Sequence, residues 1–223
     1  MRIKLLFHAL LKLIVGLLIT VLLIFLPAGS LYFFNGWLLI FTLIIPMVLT
    51  GIFLMIFSPD LLKKRLNMQE TQKEQSLVIK LSAAMFVFGF IVAGLDFRFG
   101  WSCISGKTSI IATILFLISY IMYTEVMREN KYLSRNIEIQ VDQKVIDTGL
   151  YGIIRHPMYF STIIMFLSIP IILGSLWSFI IFLPSPAILA YRINNEEDFM
   201  LKNLNGYKEY TQKVKYRLIP FIW

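Results

Sequence analysis

The stretch "GLYGIIRHPMYFS", residues 149–161, puts an arginine, one of the chain's two histidines and a proline directly before an apolar run. Upstream lies the longest polar segment, 128–157. Downstream, residues 159–173 and 175–190 are two apolar runs separated by Gly174 and interrupted by Pro170, Pro184 and Pro186. Each run is shorter than a standard span, so together they predict a helical hairpin that is tilted or only just crosses a bilayer. Charge at the mouth of such a hairpin is expensive unless it sits at the interface or is paired.

The rest of the chain reads the same way. Of 223 residues, 58% are hydrophobic and 15% charged, with a mean hydropathy of +0.76. A soluble domain carries about a quarter charged residues. Apolar runs at 5–26, 31–57 (with Pro46 inside), 77–95 and 109–127 predict four further spans, with a polar loop over 58–76 between the second and the third. The fold class is therefore all-α: a polytopic integral membrane protein of about five to six transmembrane helices, including the C-terminal hairpin. The start "MRIKLLFHALLKLIVGLL" has a basic head, but its apolar run is too long for a signal peptide, which predicts a retained first span. Residues 1–223 are expected to form one domain, with N-terminal spans over 1–76 and a functional core over 77–223. The alternating segment 137–149, "IEIQVDQKVIDTG", predicts extended chain. The tail repeats Tyr207, Tyr210, Val214 and Leu218 at near-helical spacing, with Lys208, Lys213, Lys215 and Arg217 between them. That pattern predicts an amphipathic helix on an anionic leaflet.

The net charge of +8 suits membrane lipids rather than nucleic acid. With an N-terminus inside and six crossings, 18 of the 21 basic residues fall on the inner side, which predicts cytoplasmic termini and a cytoplasmic site in a cell membrane. Cys103 is the only cysteine, and His8 and His156 are far apart, so neither a disulfide nor a metal centre is expected.

Two clusters carry candidate chemistry. Tyr151, Arg155, His156 and Tyr159 precede the hairpin; Tyr191, Arg192, Glu196 and Glu197 follow it. A hairpin returns its end beside its start, so the clusters should meet. Arg192 and Glu196 share a face if that helix continues. Taken singly, each residue has a plainer account. Arg155 and His156 suit a basic membrane boundary, the glutamates suit a helix start, and the tyrosines suit an interfacial belt.

Jointly, the order Gly-x-Tyr-x3-Arg-His-Pro-x-Tyr, hairpin, Arg-x3-Glu-Glu, then "GYKEYTQKVKYRLIP" (206–220) resembles the isoprenylcysteine carboxyl methyltransferase-like family, related to the phospholipid N-methyltransferases. "LDFRFGWS" (95–102), "NKYLSRNIEIQ" (130–140) and "QKVIDTGLYGIIRHPMY" (143–159) are similar to its prokaryotic branch. The resemblance implies an S-adenosylmethionine-dependent methyltransferase acting on a lipophilic or lipidated membrane acceptor. It implies cofactor contacts from Gln140, from Gln143, Lys144, Val145 and Ile146, and from Tyr151, His156, Pro157, Met158, Tyr159 and Glu196, with Arg192 beside the acceptor. The chain departs from the family pattern at Ser161, where glycine is common, and in the short spacing between Gln140 and Gln143.

The chemistry is consistent with that resemblance. The donor carries a carboxylate and an ammonium, which call for mixed charge: Arg155 or backbone N–H groups for the first, Glu196 for the second. A carboxylate acceptor needs orientation, a role for Arg192. An amine acceptor, as in phospholipid N-methylation, also needs a base, and His156 and Glu197 are the candidates. Two rivals stand: an NADPH-dependent membrane reductase of the sterol-reductase type, similar around Arg-His-Pro-x-Tyr, and a scaffold without catalysis.

Overall fold

The computed structural model describes residues 2–66, 73–134 and 138–223. Its helices are α1 (Arg2–Ala28), α2 (Phe34–Phe57), α3 (Pro59–Leu66), α4 (Lys73–Phe99), α5 (Gly106–Glu129), α6 (Pro157–Ile172), α7 (Leu176–Phe182), α8 (Ser185–Asn203) and α9 (Tyr207–Lys213), with one 3₁₀ turn at Gly149–Gly152. Among the described residues, five segments are long and apolar enough to span a membrane: α1, α2, α4, α5 and the combined α7–α8 segment Leu176–Asn203. α6 is shorter. The expected integral membrane protein with a C-terminal hairpin is what the chain forms. α2 runs through Pro46 without a break.

The helices pack through small residues, as is usual where lipid removes the hydrophobic drive between spans. A Cβ on Gly94 would lie 2.4 Å from the Ile24 carbonyl of α1, and one on Gly89 2.3 Å from the Phe182 ring. Phe182 is fully buried there, its ring edge-on to Phe86. At the hairpin bend Gly174 takes φ +79°. Ser175 caps α7 by accepting from the Ser178 N–H at 3.0 Å and donates to buried Asp96 at 2.5 Å. Asp96 also accepts from the backbone and hydroxyl of Ser102 at 2.7 and 2.6 Å. One carboxylate thus ties the hairpin bend to the end of α4.

Two local expectations are corrected and a third is met apart from one turn. The span-end segment 58–66, read as polar loop, forms α3, because Leu61 and Leu62 are buried beside Leu54 and Met127. The described part of 137–149 is non-helical up to the 3₁₀ turn, as read, and is broken by a turn at residues 141–142, with Asp142 at φ +57°. The tail's apolar stripe does not face a leaflet. Tyr207, Tyr210 and Val214 pack with Leu204, while Leu218 packs with Tyr159, Leu189 and Ile193.

The polar ends gather on one side. Lys12 of α1 donates to the Leu66 carbonyl of α3, Lys64 reaches Gln140 at 2.5 Å, and Lys213 of α9 reaches Asp147 at 2.6 Å. Exposed Cys103 follows the α4 end, on the other side. Under the positive-inside rule, a membrane-impermeant maleimide should label Cys103 on intact cells. In a Cys103→Ser background, Lys208→Cys should label only after permeabilisation; the opposite pattern overturns the orientation.

Candidate active site

The site forms where the polar loop enters α6. Gly149 takes φ +55°, a left-handed backbone that suits glycine, and the 3₁₀ turn follows. Pro157 occupies the first turn of α6, where its missing N–H costs nothing. Between them, the Arg155 N–H donates to the Tyr216 carbonyl and the His156 N–H to the Arg217 carbonyl, both at 2.9 Å. These two bonds lash the C-terminal segment to the mouth of the hairpin.

α8 supplies two adjacent stripes at i, i+4 spacing. Leu189, Ile193 and Glu197 are buried. Arg192, Glu196 and Met200 line a cleft. The helix continues well past residue 190, so Arg192 and Glu196 share a face, as expected of a continuous helix.

Glu197 is the electrostatic hub of the buried stripe. Its Oε1 accepts from Arg155 Nε at 2.6 Å and from His156 Nε2 at 3.1 Å, and its Oε2 accepts from Arg217 Nε at 2.7 Å. Arg155 also donates to the Val214 and Lys215 carbonyls at 2.8 and 2.9 Å. A carboxylate saturated by such donors is a poor proton acceptor. It also lies behind the cleft rather than on it, so Glu197 fits a positioning role better than the base role expected of it. Because the carboxylate can only accept, His156 Nε2 carries a proton, and only Nδ1 is left to take one.

A second chain of bonds faces the cleft. Arg192 Nε donates to the Tyr159 hydroxyl at 2.9 Å, which donates to Glu196 Oε2 at 2.6 Å. The guanidinium also lies over the Tyr159 ring. Further along, the Tyr151 hydroxyl accepts from Asn130 Nδ2 at 3.0 Å and its carbonyl accepts from the Tyr210 hydroxyl at 2.8 Å. Burial pushes the Tyr151 and Tyr210 hydroxyls up, and burial followed by the charges of Glu197 and Glu196 does the same for Tyr207. All three stay protonated donors. The Tyr207 hydroxyl is buried and has no hydrogen-bond partner among the described residues.

The cleft has a volume of about 90 Å³ and opens to solvent. It is a narrow slot. Gln143, Lys144, Val145 and Ile146 form one wall; Tyr151, Arg155, His156, Pro157, Met158 and Tyr159 form the floor; Arg192 and Glu196 face them. Gln140 does not line it. Its carbonyl oxygen accepts from Lys64, and its amide donates to the Tyr132 carbonyl at 2.7 Å. Residues of this region that were not among the candidates include Asn130, Glu138, Met200, Leu204, Tyr207, Tyr210 and, behind the cleft, Arg217. The tyrosines carried a signal, their apolar spacing, that was assigned to a lipid surface.

Residues 107–206, just under half of the chain, match the phospholipid methyltransferase family. The solved structure of the eukaryotic intramembrane Ras methyltransferase isoprenylcysteine carboxyl methyltransferase superposes with a TM-score of 0.50 at 17% identity, covering 85% of this chain and 74% of that one. The chain is an isoprenylcysteine carboxyl methyltransferase-like membrane protein by fold. The matched segment runs from α5 to the end of α8 and so holds both stripes of α8 and the floor of the cleft. The chain is also similar to a Delta(14)-sterol reductase of Mus musculus, 31% identical over 84 residues. That stretch is 36% of this chain, and the chain spans about a fifth of that reductase.

Proposed function

We propose that the protein is an S-adenosylmethionine-dependent methyltransferase whose acceptor is a lipophilic membrane molecule, a carboxylate in preference to an amine. The observation that carries this reading is the Arg192–Tyr159–Glu196 chain, which sets one cation and one anion side by side on the open face of a slot at the hairpin mouth. The cofactor fits the donor set. Glu196 and Glu138 supply negative charge for an ammonium or ribose hydroxyls, Lys144 supplies positive charge for a carboxylate, and Val145, Ile146 and Leu204 supply apolar wall. The unpartnered Tyr207 hydroxyl is a buried donor that a polar ligand would satisfy.

When bound, S-adenosylmethionine supplies an electrophilic methyl on a sulfonium. Arg192 orients the acceptor carboxylate and screens its charge from Glu196, so positioning supplies much of the rate. No proton leaves a carboxylate acceptor, so the pairing of Glu197 does no harm. An amine would require one, and His156 Nδ1 is then the available base. In this reading the termini and the slot face the cytoplasm.

Isothermal calorimetry in detergent tests the cofactor. Heat with S-adenosylmethionine is expected, and none at millimolar ligand sinks the proposal. Transfer of a labelled methyl group into membrane extract then separates the acceptors, since an ester loses the label in base and an N-methyl group keeps it.

The sterol reductase similarity favours a second reading, a reductase using NADPH. Glu197, buried under cations, does not argue against a polyphosphate there. Glu196 and Glu138 on the slot do. NADPH binding without S-adenosylmethionine binding would establish this alternative.

A further inference from the structure

The turn at residues 219–222 holds a large side chain where glycine is favoured. The Ile222 N–H donates to the Ile219 carbonyl at 3.2 Å, with Pro220 second in the turn and Phe221 third, at φ +65°. Proline followed by a positive φ is the type II pattern, whose third position suits glycine. A bulky residue there is a strained outlier. Packing does little to offset that strain. The Phe221 ring meets Tyr216 at 5.1 Å, yet Phe221 is 88% exposed and Ile222 78%. Strain kept at an exposed apolar residue points to a partner outside the chain.

The turn is anchored at both ends. Leu218 is buried against Tyr159, Leu189 and Ile193, and Trp223 packs on the same cluster. The Leu218 and Ile219 N–H groups both donate to the Trp223 carbonyl, at 3.0 and 3.2 Å. Tyr159 lies in the first turn of α6, and Leu189 and Ile193 lie in the spanning segment Leu176–Asn203. The turn therefore stands where the hairpin enters the bilayer. Beside it is an open groove of about 330 Å³, lined by Arg155, Lys215 and Arg217 and by the aromatic Tyr216, Phe221 and Trp223. Among the described residues no acidic side chain lines it. Arg155 and Arg217 share one carboxylate, Glu197. Arg217 uses Nε for that bond, and its Nη groups have no hydrogen-bond partner among the described residues. Lys215 is exposed and has no ion pair among them.

We propose that residues 219–222 insert into the leaflet on the slot side, and that the groove takes the phosphate of an anionic phospholipid there, held by Lys215 and Arg217. Apolar tips beside unopposed cations match the acyl and phosphate layers of an anionic leaflet. The tail helix does not offer that match, since its apolar stripe is spent on protein. A second copy of the chain fits less well. A two-fold contact would set these cations against their own copies, which like charge disfavours. The site does not depend on what the slot binds.

The test uses the full chain with Cys103→Ser and Ile222→Cys, the new thiol carrying a nitrobenzoxadiazole dye. The protein sits in nanodiscs of equal parts phosphatidylglycerol and phosphatidylcholine, with bromine on the acyl chains of one lipid or the other. Blue-shifted emission and quenching by brominated lipid are expected. From the ratio of the two quenching levels, phosphatidylglycerol should associate about fivefold more tightly, the scale of one basic residue at an anionic surface. Lys215→Gln, a change at an exposed side chain, should remove that preference and keep the quenching. Phe221→Gly, which suits φ +65° and so keeps the turn, should lose part of the quenching by both lipids. Water-like emission overturns the proposal. So does a shielded dye that neither lipid quenches, which places a second copy over the turn. Quenching that Phe221→Gly leaves unchanged overturns the insertion. Equal association of the two lipids, or a preference that Lys215→Gln leaves intact, overturns the headgroup site.

Discussion

Glu197→Gln is expected to destabilise the fold by about 3–5 kcal/mol, the usual result of removing one partner from a buried ion cluster. The Glu197 side chain is 4% exposed and joins three elements: Arg155 and His156 before α6, Arg217 in the tail, and α8 itself. Glutamine keeps the shape but not the charge, so Arg155, itself 7% exposed at the side chain, loses its carboxylate partner and keeps only neutral acceptors. Its amide nitrogen also meets a donor wherever it points. The loss is predicted to release the tail, because the Arg155 bonds to Val214 and Lys215 depend on where Glu197 holds the guanidinium. Glu196→Gln is the control. It removes a single part-buried acceptor and is expected to change stability by about 1 kcal/mol. Arg217→Ala should fall between them, since its side chain is 35% exposed and water partly screens the pair. Thermal unfolding in detergent, followed by tryptophan fluorescence, orders the three. A Glu197→Gln melting point equal to that of the unmodified protein would remove the structural role and return Glu197 to the list of candidate bases.

That ranking shows what the sequence could and could not reveal. Apolar period and the single Gly174 made the hairpin legible, because a span is a property of local composition. Motif order made both halves of the site legible, since a hairpin has few ways to return. The division of labour between Glu196 and Glu197 was not legible. The two are neighbours of the same type, and only the rotation of α8 about its axis puts one on the slot and the other beneath Arg155. Sequence spacing fixes which residues share a stripe, but not which stripe faces ligand. The tail failed for a related reason. Tyr207, Tyr210 and Val214 form the stripe of a membrane-surface helix, yet apolar periodicity does not say whether the apolar partner is lipid or protein. Here the partner is Leu204, beside Val145 and Ile139. α3 escaped because eight residues with three consecutive cations read as loop, and only the burial of Leu61 and Leu62 makes the segment a helix. Gln140 looked like a ligand contact by its place in the motif. Its side chain is used by Lys64 and Tyr132, which lie far from it or out of register along the chain.

Arg192→Ala and Glu196→Ala should then separate turnover from binding. Arg192 Nε and Glu196 Oε2 share one hydroxyl, that of Tyr159, so the three side chains act as a unit and their effects will not add. The physical assignment is by charge. Glu196 matches the positive parts of the donor, so Glu196→Ala is expected to weaken S-adenosylmethionine binding by roughly 10-fold to 100-fold, the scale of one lost charge-assisted contact. Arg192 matches a carboxylate acceptor, so Arg192→Ala is expected to lower kcat by roughly 100-fold, as loss of a positioning or charge-stabilising group does, with cofactor affinity nearly kept. Tyr159→Phe keeps both charges and the ring beneath the guanidinium but cuts the link between them. It should therefore reproduce a fraction of each effect, and adding it to either alanine variant should change little further. Calorimetry reads the binding arm and labelled-methyl transfer reads the turnover arm. If Arg192→Ala lost cofactor affinity and Glu196→Ala lost only kcat, the two roles would be exchanged: the arginine would hold the donor carboxylate, the glutamate would face the acceptor, and an amine would replace the carboxylate as the preferred acceptor.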